Sequence, residues 1–172
     1  MPEVTLAWGS LPDTDELDDH LDNHLVDDQV APSNVDLGQP YVTVDTTEDL
    51  DRILHAIHLE AAQRDLPQQV DIWAGSWPPP HDQAQEPPDP MLQVLVGHPD
   101  RGSVLWLGPT DCWVAVEPTL PPPAQPLLYD RGGQGDELPP DYARLQPATV
   151  TDVLHTFLTN GQRSDRVTWI AI

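Results

Sequence analysis

Residues 91–116, MLQVLVGHPDRGSVLWLGPTDCWVAV, contain three short apolar runs separated by two turns. The runs are rich in Val and Trp, which favour strands, and they are Met91 to Val96, Val104 to Leu107 and Cys112 to Val116. Between them stand His98-Pro99-Asp100-Arg101-Gly102 and Gly108-Pro109-Thr110-Asp111, which consist largely of turn-forming residues. Strands joined by such short turns pair antiparallel. The stretch therefore predicts an antiparallel meander of three strands.

Upstream of this meander, the sequence predicts two strands, a helix and a third strand. Val4 to Trp8 alternates with the period of a strand that has one buried face, and Tyr41 to Asp45 is a second strand. Thr46 followed by Asp49 is a capping signature that opens a helix. The apolar face of that helix consists of Leu50, Ile53, Leu54, Ile57 and Ala61. Pro67 ends this segment, and Val70 to Ala74 returns as a strand.

Downstream of the meander, the sequence predicts a short strand, a glycine-rich turn, a helix and a last strand. The strand is Leu127 to Tyr129 and the turn is Asp130 to Gly135. We expect Thr149 with Asp152 to cap the helix and Asn160-Gly161 to end it. Its buried face consists of Val150, Val153, Leu154, Phe157 and Leu158, and the last strand is Arg166 to Ile172. This order of elements favours an α+β fold in one domain, residues 1–172, with two helices packed on one face of a mainly antiparallel sheet.

The charge of the chain restricts its partners. The sequence has 29 acidic residues against 7 basic ones, none of them Lys, and its formal net charge is -22. Such a field repels nucleic acid and anionic membranes and attracts a basic protein. A compositional habit of the source genome could also explain the absence of Lys and the general acidity. The uneven distribution of charge argues against it, because 14 of the acids precede the first arginine, Arg52. We expect a cytoplasmic protein, because the sequence starts without a secretory signal and has no membrane-length apolar run.

Two segments interrupt the regular pattern. Residues 11–38 form an acidic insertion in which Leu17, Leu21 and Leu25 recur every four residues, so a helix there would have a narrow apolar stripe on an acidic surface. Its like-charged side chains oppose folding, and the segment is expected to order fully only against a partner. Residues 77–90 form a proline-rich loop. Trp77 starts this loop and is the one Trp of the six for which we expect an exposed, interface role, the others being mostly core.

No motif in the chain indicates catalysis, a metal or a cofactor. His20 and His24 are four residues apart and could share a metal ion on a helix, but a zinc site needs a more rigid and dehydrated frame. The single cysteine, Cys112, follows an acid and is interpreted as a buried small hydrophobe rather than a nucleophile. Gly132, Gly133 and Gly135 are interpreted as a chain-reversing loop, because no phosphate-binding Lys follows them. A hydrolase that uses a carboxylate pair remains an open alternative, since spacing cannot single out two acids among 29.

Several stretches resemble the immunity proteins of bacterial polymorphic toxin systems, specifically the first-described immunity family, which is often encoded beside deaminase-fold toxins. They are Thr46 to Leu50, Gly97 to Ser103 with Leu105-Trp106, Tyr129 to Gly135, and Phe157-Leu158 to Gly161-Gln162-Arg163 with Val167 and Trp169. Together they cover roughly residues 41–172. The chain departs from the family pattern at Ser164, where such proteins usually carry Pro, at the end of the strand Val114 to Pro118, and in the acidic insertion.

The resemblance implies a non-catalytic protein that binds and neutralises a cognate toxin, a zinc-dependent cytosine deaminase acting on DNA. Such an enzyme has a basic substrate groove, which an acidic protein can occlude. The residues expected to bind the toxin are Asp13, Asp15, Glu16, Leu17, Asp18, Asp19, Leu21, Asp22, Asp27, Asp28 and Trp77. No cofactor, nucleic acid or membrane is expected as a partner. The alternative is an acidic DNA mimic that inhibits another nuclease or DNA-binding protein.

Overall fold

The structure is a computed structural model that describes residues 4–8, 41–74 and 90–172. These ranges contain nine strands, two α-helices and one turn of 3₁₀ helix. The elements in chain order are β1 (Val4–Trp8), β2 (Tyr41–Val44), α1 (Thr47–Arg64), β3 (Gln68–Ala74), β4 (Met91–Val96), β5 (Ser103–Leu107), β6 (Cys112–Val116), β7 (Leu127–Asp130), β8 (Gly135–Leu138), the 3₁₀ turn (Pro140–Tyr142), α2 (Pro147–Asn160) and β9 (Thr168–Ala171).

Seven of these strands form one continuous sheet in the order β2-β1-β3-β4-β5-β6-β9, and every neighbouring pair in it is antiparallel. The meander predicted from residues 91–116 is confirmed as β4-β5-β6. The hairpin of β7 and β8 joins the sheet through a short parallel contact between Gln68 of β3 and Asp130 of β7. The last strand, β9, pairs with β6 rather than with a sequence neighbour.

Both helices pack on the same face of this sheet. Leu6, Ile72 and Leu92 lie opposite one another across β1, β3 and β4, so they share that face. They are fully buried in a core that also contains Ile57 of α1 and Phe157 of α2. Burial of side chains of this size, at about 1.5–3 kcal/mol each, supplies the main driving force for the fold. The predicted α+β class, with two helices on one face of a mainly antiparallel sheet, is confirmed.

The start of α1 follows from its predicted cap. The Thr46 hydroxyl oxygen accepts a hydrogen bond from the Asp49 backbone N–H at 3.1 Å, which satisfies one of the amide groups left unpaired at a helix start. The same hydroxyl donates to the Asp49 carboxylate at 2.6 Å. The helix ends where Asp65 adopts a left-handed conformation, φ 51°, just before Pro67.

The predicted cap of α2, Thr149, is wrong by three residues. The helix begins at Pro147 with Gln146 as its N-cap, and Gln146 makes no side-chain capping bond. Proline is favoured at this first position because its fixed φ suits a helix and its missing N–H would be unpaired there anyway. Asp152, the expected capping partner, instead pairs with Arg166 at 2.5 Å. The predicted end at Gly161 is confirmed by its left-handed conformation, φ 67°.

The loop of residues 97–102, between β4 and β5, lies where both helices approach the sheet. A Cβ added to Gly97 would stand 2.2 Å from the Cβ of Ala61 on α1, and one added to Gly102 would stand 2.4 Å from a methyl of Val150 on α2. Arg101 between them donates from Nη1 to the carbonyl oxygen of Pro121 at 2.6 Å. This loop is therefore a packing point for the two helices.

Candidate protein-binding surface

Three tryptophans lie next to one another on strands β5, β6 and β9. Trp106 and Trp113 are direct partners across β5 and β6, and Trp169 pairs with Ala115, which is on the same face of β6 as Trp113. Because Trp106 also lies opposite Leu92, all three side chains are on the face that carries the helices. Each of the three is only partly buried. By contrast, Trp8 and Trp73 are 5% and 6% exposed, as expected for core residues.

The three indole rings are held in place by contacts on several sides. Trp106 packs edge-on against Phe157 of α2, with ring centroids 5.8 Å apart, and edge-on against Trp169 at 6.3 Å. The indole N–H of Trp169 donates to the Ser164 carbonyl oxygen at 2.9 Å, and that of Trp113 donates to the Asp111 carboxylate. Rings fixed in this way lose little further side-chain entropy when another molecule binds against them.

Arg163 lies over all three rings. It follows the Gly161 turn that ends α2, and its guanidinium carbon is 4.5 Å from the ring centroid of Trp113. The corresponding distances to Trp106 and Trp169 are 5.8 and 5.9 Å. All are within the range over which a cation is attracted to the face of an aromatic ring. Arg163 is nevertheless exposed to solvent.

The N–H groups of Arg163 have no oxygen partner among the residues that the structure describes. The other six arginines all form an ion pair with a carboxylate or donate to a carbonyl oxygen, and they are Arg52, Arg64, Arg101, Arg131, Arg144 and Arg166. A guanidinium has five N–H donors arranged in a rigid fork. The ring contacts fix the orientation of these N–H donors in Arg163, and the donors remain available to a ligand.

Arg163 borders an open depression at this end of the sheet. Its lining consists of Pro90, Trp106, Pro109, Asp111, Gln162 and Arg163, and its volume is about 580 Å³. We call this depression and the three tryptophans the Arg163 surface. Tryptophan and arginine are the residue types most enriched at the energetic centres of protein interfaces. The arrangement is thus suited to binding another protein.

Two acids of the described ranges have a raised pKa, a property that a carboxylate catalyst would also show. Burial raises the pKa of Glu60 on α1, and neighbouring Gln68 and the Arg64 guanidinium, 2.8 Å away, oppose the rise. Burial also raises the pKa of Asp71 on β3, partly offset by a hydrogen bond from the Gln69 amide at 2.9 Å. Structural ion-pair and hydrogen-bond networks perturb pKa values in the same way as active sites do. Since Glu60 and Asp71 belong to separate networks, they do not form a carboxylate pair.

The residues that the sequence indicated for toxin binding lie outside the described ranges. They are Asp13, Asp15, Glu16, Leu17, Asp18, Asp19, Leu21, Asp22, Asp27, Asp28 and Trp77, and His20 and His24 also lie outside. In the ranges 4–8, 41–74 and 90–172, no three His, Cys, Asp or Glu side chains gather as metal ligands would. No helix within those ranges is long and apolar enough to cross a membrane. Cys112, expected to be buried, is partly exposed.

The sequence analysis does not predict the Arg163 surface. It places Trp106 and Trp113 in the core, and Arg163 appears in it only among the stretches that resemble immunity proteins. A signal was present in the spacing: Trp106 and Trp113 flank the Gly108 to Asp111 turn symmetrically, which places them opposite each other in a hairpin. The contribution of Trp169 depends on where β9 joins the sheet, which no local pattern reveals.

The fold and this surface define an α+β protein with an aromatic and cationic face of the kind found at protein interfaces. The model of a known family, immunity protein Imm1, matches residues 38–171. The chain belongs to the Imm1 family of immunity proteins. The match includes α1, α2 and eight of the nine described strands, and it begins after β1 and most of the acidic insertion. No curated protein matches the chain.

Proposed function

We propose that this protein neutralises a bacterial toxin by binding it directly. The observation that carries the proposal is the membership of residues 38–171 in the Imm1 family of immunity proteins. The Arg163 surface supports it, because its residue types and rigidity suit a protein partner. In this function the chain is not an enzyme, and inhibition comes from steric exclusion of the toxin's substrate.

The toxin in this proposal is a zinc-dependent cytosine deaminase that acts on DNA and is encoded directly upstream. The support is the resemblance of the chain to immunity proteins encoded beside deaminase-fold toxins, together with a net charge of -22. A DNA deaminase needs a basic groove for the phosphate backbone and a pocket for the base that it modifies. An acidic protein is attracted to such a groove and closes it to DNA.

The acidic insertion has the long-range role in this proposal. The carboxylates between Asp13 and Asp28 take the place of DNA phosphates, and Leu17, Leu21 and Trp77 add apolar anchors. The complex forms in the cytoplasm, where a self-made or sibling toxin would reach DNA. Deleting residues 11–28 should slow association and weaken its salt dependence. A deletion variant with unchanged affinity contradicts this role.

The experiment is co-purification and calorimetry of this protein with the protein encoded directly upstream, followed by a DNA deaminase assay over a salt series. Tight binding with loss of deaminase activity supports the function, and binding that weakens steeply with salt supports the electrostatic component. Binding without deaminase activity in the free toxin supports the immunity role but contradicts the assigned chemistry. Absence of binding contradicts the function.

A second candidate is an acidic DNA mimic directed at another nuclease or DNA-binding protein. The observation that favours it is the excess of 29 acidic over 7 basic residues. The two candidates differ in partner: a DNA mimic should inhibit several unrelated DNA-binding proteins at low salt, whereas an immunity protein should inhibit one. A panel of basic nucleases, tested at low and physiological salt, separates them.

A further inference from the structure

We propose that the Arg163 surface is the contact that orients the toxin, and that its occupant is a carboxylate side chain of the toxin. This inference rests on the proposed function and adds to it the site on this chain and the chemistry that fits it. It differs from the electrostatic role of the acidic insertion, because here the immunity protein supplies the cation.

The geometry of Arg163 is suited to a carboxylate. Its guanidinium is held against Trp113 at 4.5 Å and within 6 Å of the other two rings, so its fork is already positioned before a ligand arrives. A carboxylate accepts two parallel N–H bonds from such a fork, whereas a neutral carbonyl accepts only one at full strength. The rings also exclude water from one side of the guanidinium, which strengthens the remaining polar contact.

No acid of the described chain already neutralises Arg163. Asp111 is the one acid that lines the depression, and its carboxylate accepts the indole N–H of Trp113. Arg166, three residues along the chain, is by contrast paired with Asp152 at 2.5 Å. An exposed arginine without an acidic partner among the described residues is available for a carboxylate from outside.

Charge complementarity favours a protein carboxylate over a nucleic-acid phosphate at this site. Nucleic acid brings many phosphates at once, and a net charge of -22 repels them together. A toxin that is basic overall is attracted by the acids, and one of its carboxylates can then bind at the exposed guanidinium of Arg163. Such a local inversion of charge fixes the orientation of the complex and rejects toxins that lack the carboxylate.

The rim of the depression also suits a protein ligand. Pro90 and Pro109 stand on it and line the same depression as Trp106. Proline has a fixed φ and no backbone N–H, so both rim residues are stiff and apolar. A protruding toxin side chain would therefore bury its stem against Trp106 and proline while its carboxylate reaches Arg163.

The test is a set of three single substitutions measured by calorimetry with the full-length protein encoded directly upstream. Arg163→Glu should weaken binding by about 30-fold or more, the scale of an interface hot spot. Arg163→Lys should weaken it by about 5- to 10-fold, because lysine keeps the charge but loses the planar fork. The matched control, Arg166→Glu, makes the same charge change three residues away and should alter binding by less than about 3-fold.

The carboxylate itself is tested from the other side of the complex. Each exposed Asp and Glu of the toxin is changed to Arg, and one of these changes should restore binding to the Arg163→Glu variant while weakening binding to the wild type. A scan in which no position restores binding overturns the carboxylate as the occupant. Thermal unfolding of every variant is measured alongside, and Arg163→Lys decides the question if Arg163→Glu does not fold.

The outcomes separate this inference from the proposed function. If the wild type and the Arg163→Glu variant bind the toxin with equal affinity, the role of the Arg163 surface is overturned and the immunity function stays intact. Wild-type protein that does not bind the toxin overturns both. Self-association of the wild type, or binding of single-stranded DNA, that Arg163→Glu abolishes would assign the surface to a second copy or to nucleic acid and overturn the inference.

Discussion

The loop of residues 97–102 and the turn of residues 161–163 both contain glycine and arginine, and both carry the resemblance to immunity proteins. In the loop, Gly97 and Gly102 press against the helices, and Arg101 donates to the carbonyl oxygen of Pro121. In the turn, Gly161 has open space where a side chain would be, and Arg163 lies exposed over the tryptophans. The same residue types thus stabilise the fold in one place and present a binding group in the other, and only their contacts distinguish the two roles.

The largest effect should come from Gly97→Ala. The new Cβ would meet the Ala61 Cβ at 2.2 Å, and φ of +99° disfavours any side chain, so we expect a loss of about 3 kcal/mol or more in the free energy of unfolding. Urea denaturation measures it. The matched control is Gly133→Ala, where φ is +84° and no atom lies within 4 Å. That variant should lose about 1 kcal/mol in the free energy of unfolding, from the unfavourable φ alone. Equal losses for Gly97→Ala and Gly133→Ala would contradict the close contact between Gly97 and α1.

The next effect should come from Arg101→Ala, at about 1.5 kcal/mol in the free energy of unfolding, because a charged donor to one exposed and one partly buried carbonyl oxygen is lost. Its Nη1 donates to Pro121 at 2.6 Å and, more weakly, to Ala143 at 3.4 Å. The midpoint of urea denaturation should fall without a change in slope. Arg144→Ala is the companion variant, because Arg144 donates to the Leu120 carbonyl oxygen in the same connection between β6 and β7 as Pro121. An Arg101→Ala variant as stable as the wild type would remove the contrast with Arg163.

A smaller effect should follow from Glu60→Gln, next to the contact of Ala61 with Gly97. Burial raises the folded-state pKa of Glu60, so the stability contributed by its protonated form is fully present below the unfolded-state pKa and is lost as pH rises through the folded value. Glutamine remains neutral, so the variant should lose less stability than the wild type over that pH window. Urea denaturation at intervals from pH 4 to pH 8 measures the difference in the free energy of unfolding between the variant and the wild type.

The control for that pH series is Glu137→Gln. The Glu137 side chain is exposed on strand β8 and makes no ion pair with the residues that the structure describes, so the same chemical change there should leave the pH profile parallel to that of the wild type. A Glu60→Gln profile that is also parallel would show that burial of Glu60 does not affect folding.

The smallest effect on stability should come from Arg163→Ala, at less than about 1 kcal/mol, because an exposed cation–aromatic contact contributes little to folding. Tryptophan fluorescence should change even so, since the guanidinium covers three indole rings. Arg166→Ala, which breaks an exposed ion pair with Asp152, should be equally mild and leave the fluorescence unchanged. A stability loss for Arg163→Ala larger than that for Arg101→Ala would reverse the comparison.

The sequence predicted elements whose signals are local. The Thr46 cap, the apolar face of α1 and the three runs of residues 91–116 are all determined by residues within a few positions of one another. Strand β8, Gly135–Leu138, was missed because its sequence GDEL has only one apolar residue. Its pairing depends instead on the turn before it, where Gly132 and Gly133 have φ of 62° and 84°.

The candidate site could not be predicted in the same way, because it joins distant parts of the chain. Trp106 and Trp113 are partners within the hairpin of β5 and β6, but Trp169 joins them only when β9 pairs with β6. Arg163 reaches the three rings because α2 ends at Gly161. Neither the pairing of β9 with β6 nor the position of Arg163 over the rings has a sequence signal of its own. The toxin-binding roles of the acidic insertion and Trp77 stay predictions, since those residues lie outside the described ranges.

The pairing of β1 with β2 has a consequence for how this protein can diversify. Ala7 lies directly opposite Tyr41, so the chain re-enters the sheet one strand away from where it left, after more than 30 residues. The entropy of closing a loop grows only slowly with its length, by about 0.6 kcal/mol for each doubling. Residues 9–40 can therefore lengthen, shorten or be exchanged at little cost to the sheet. Selection can therefore change the charge of this protein as its binding partner changes, while the sheet and its helices are retained.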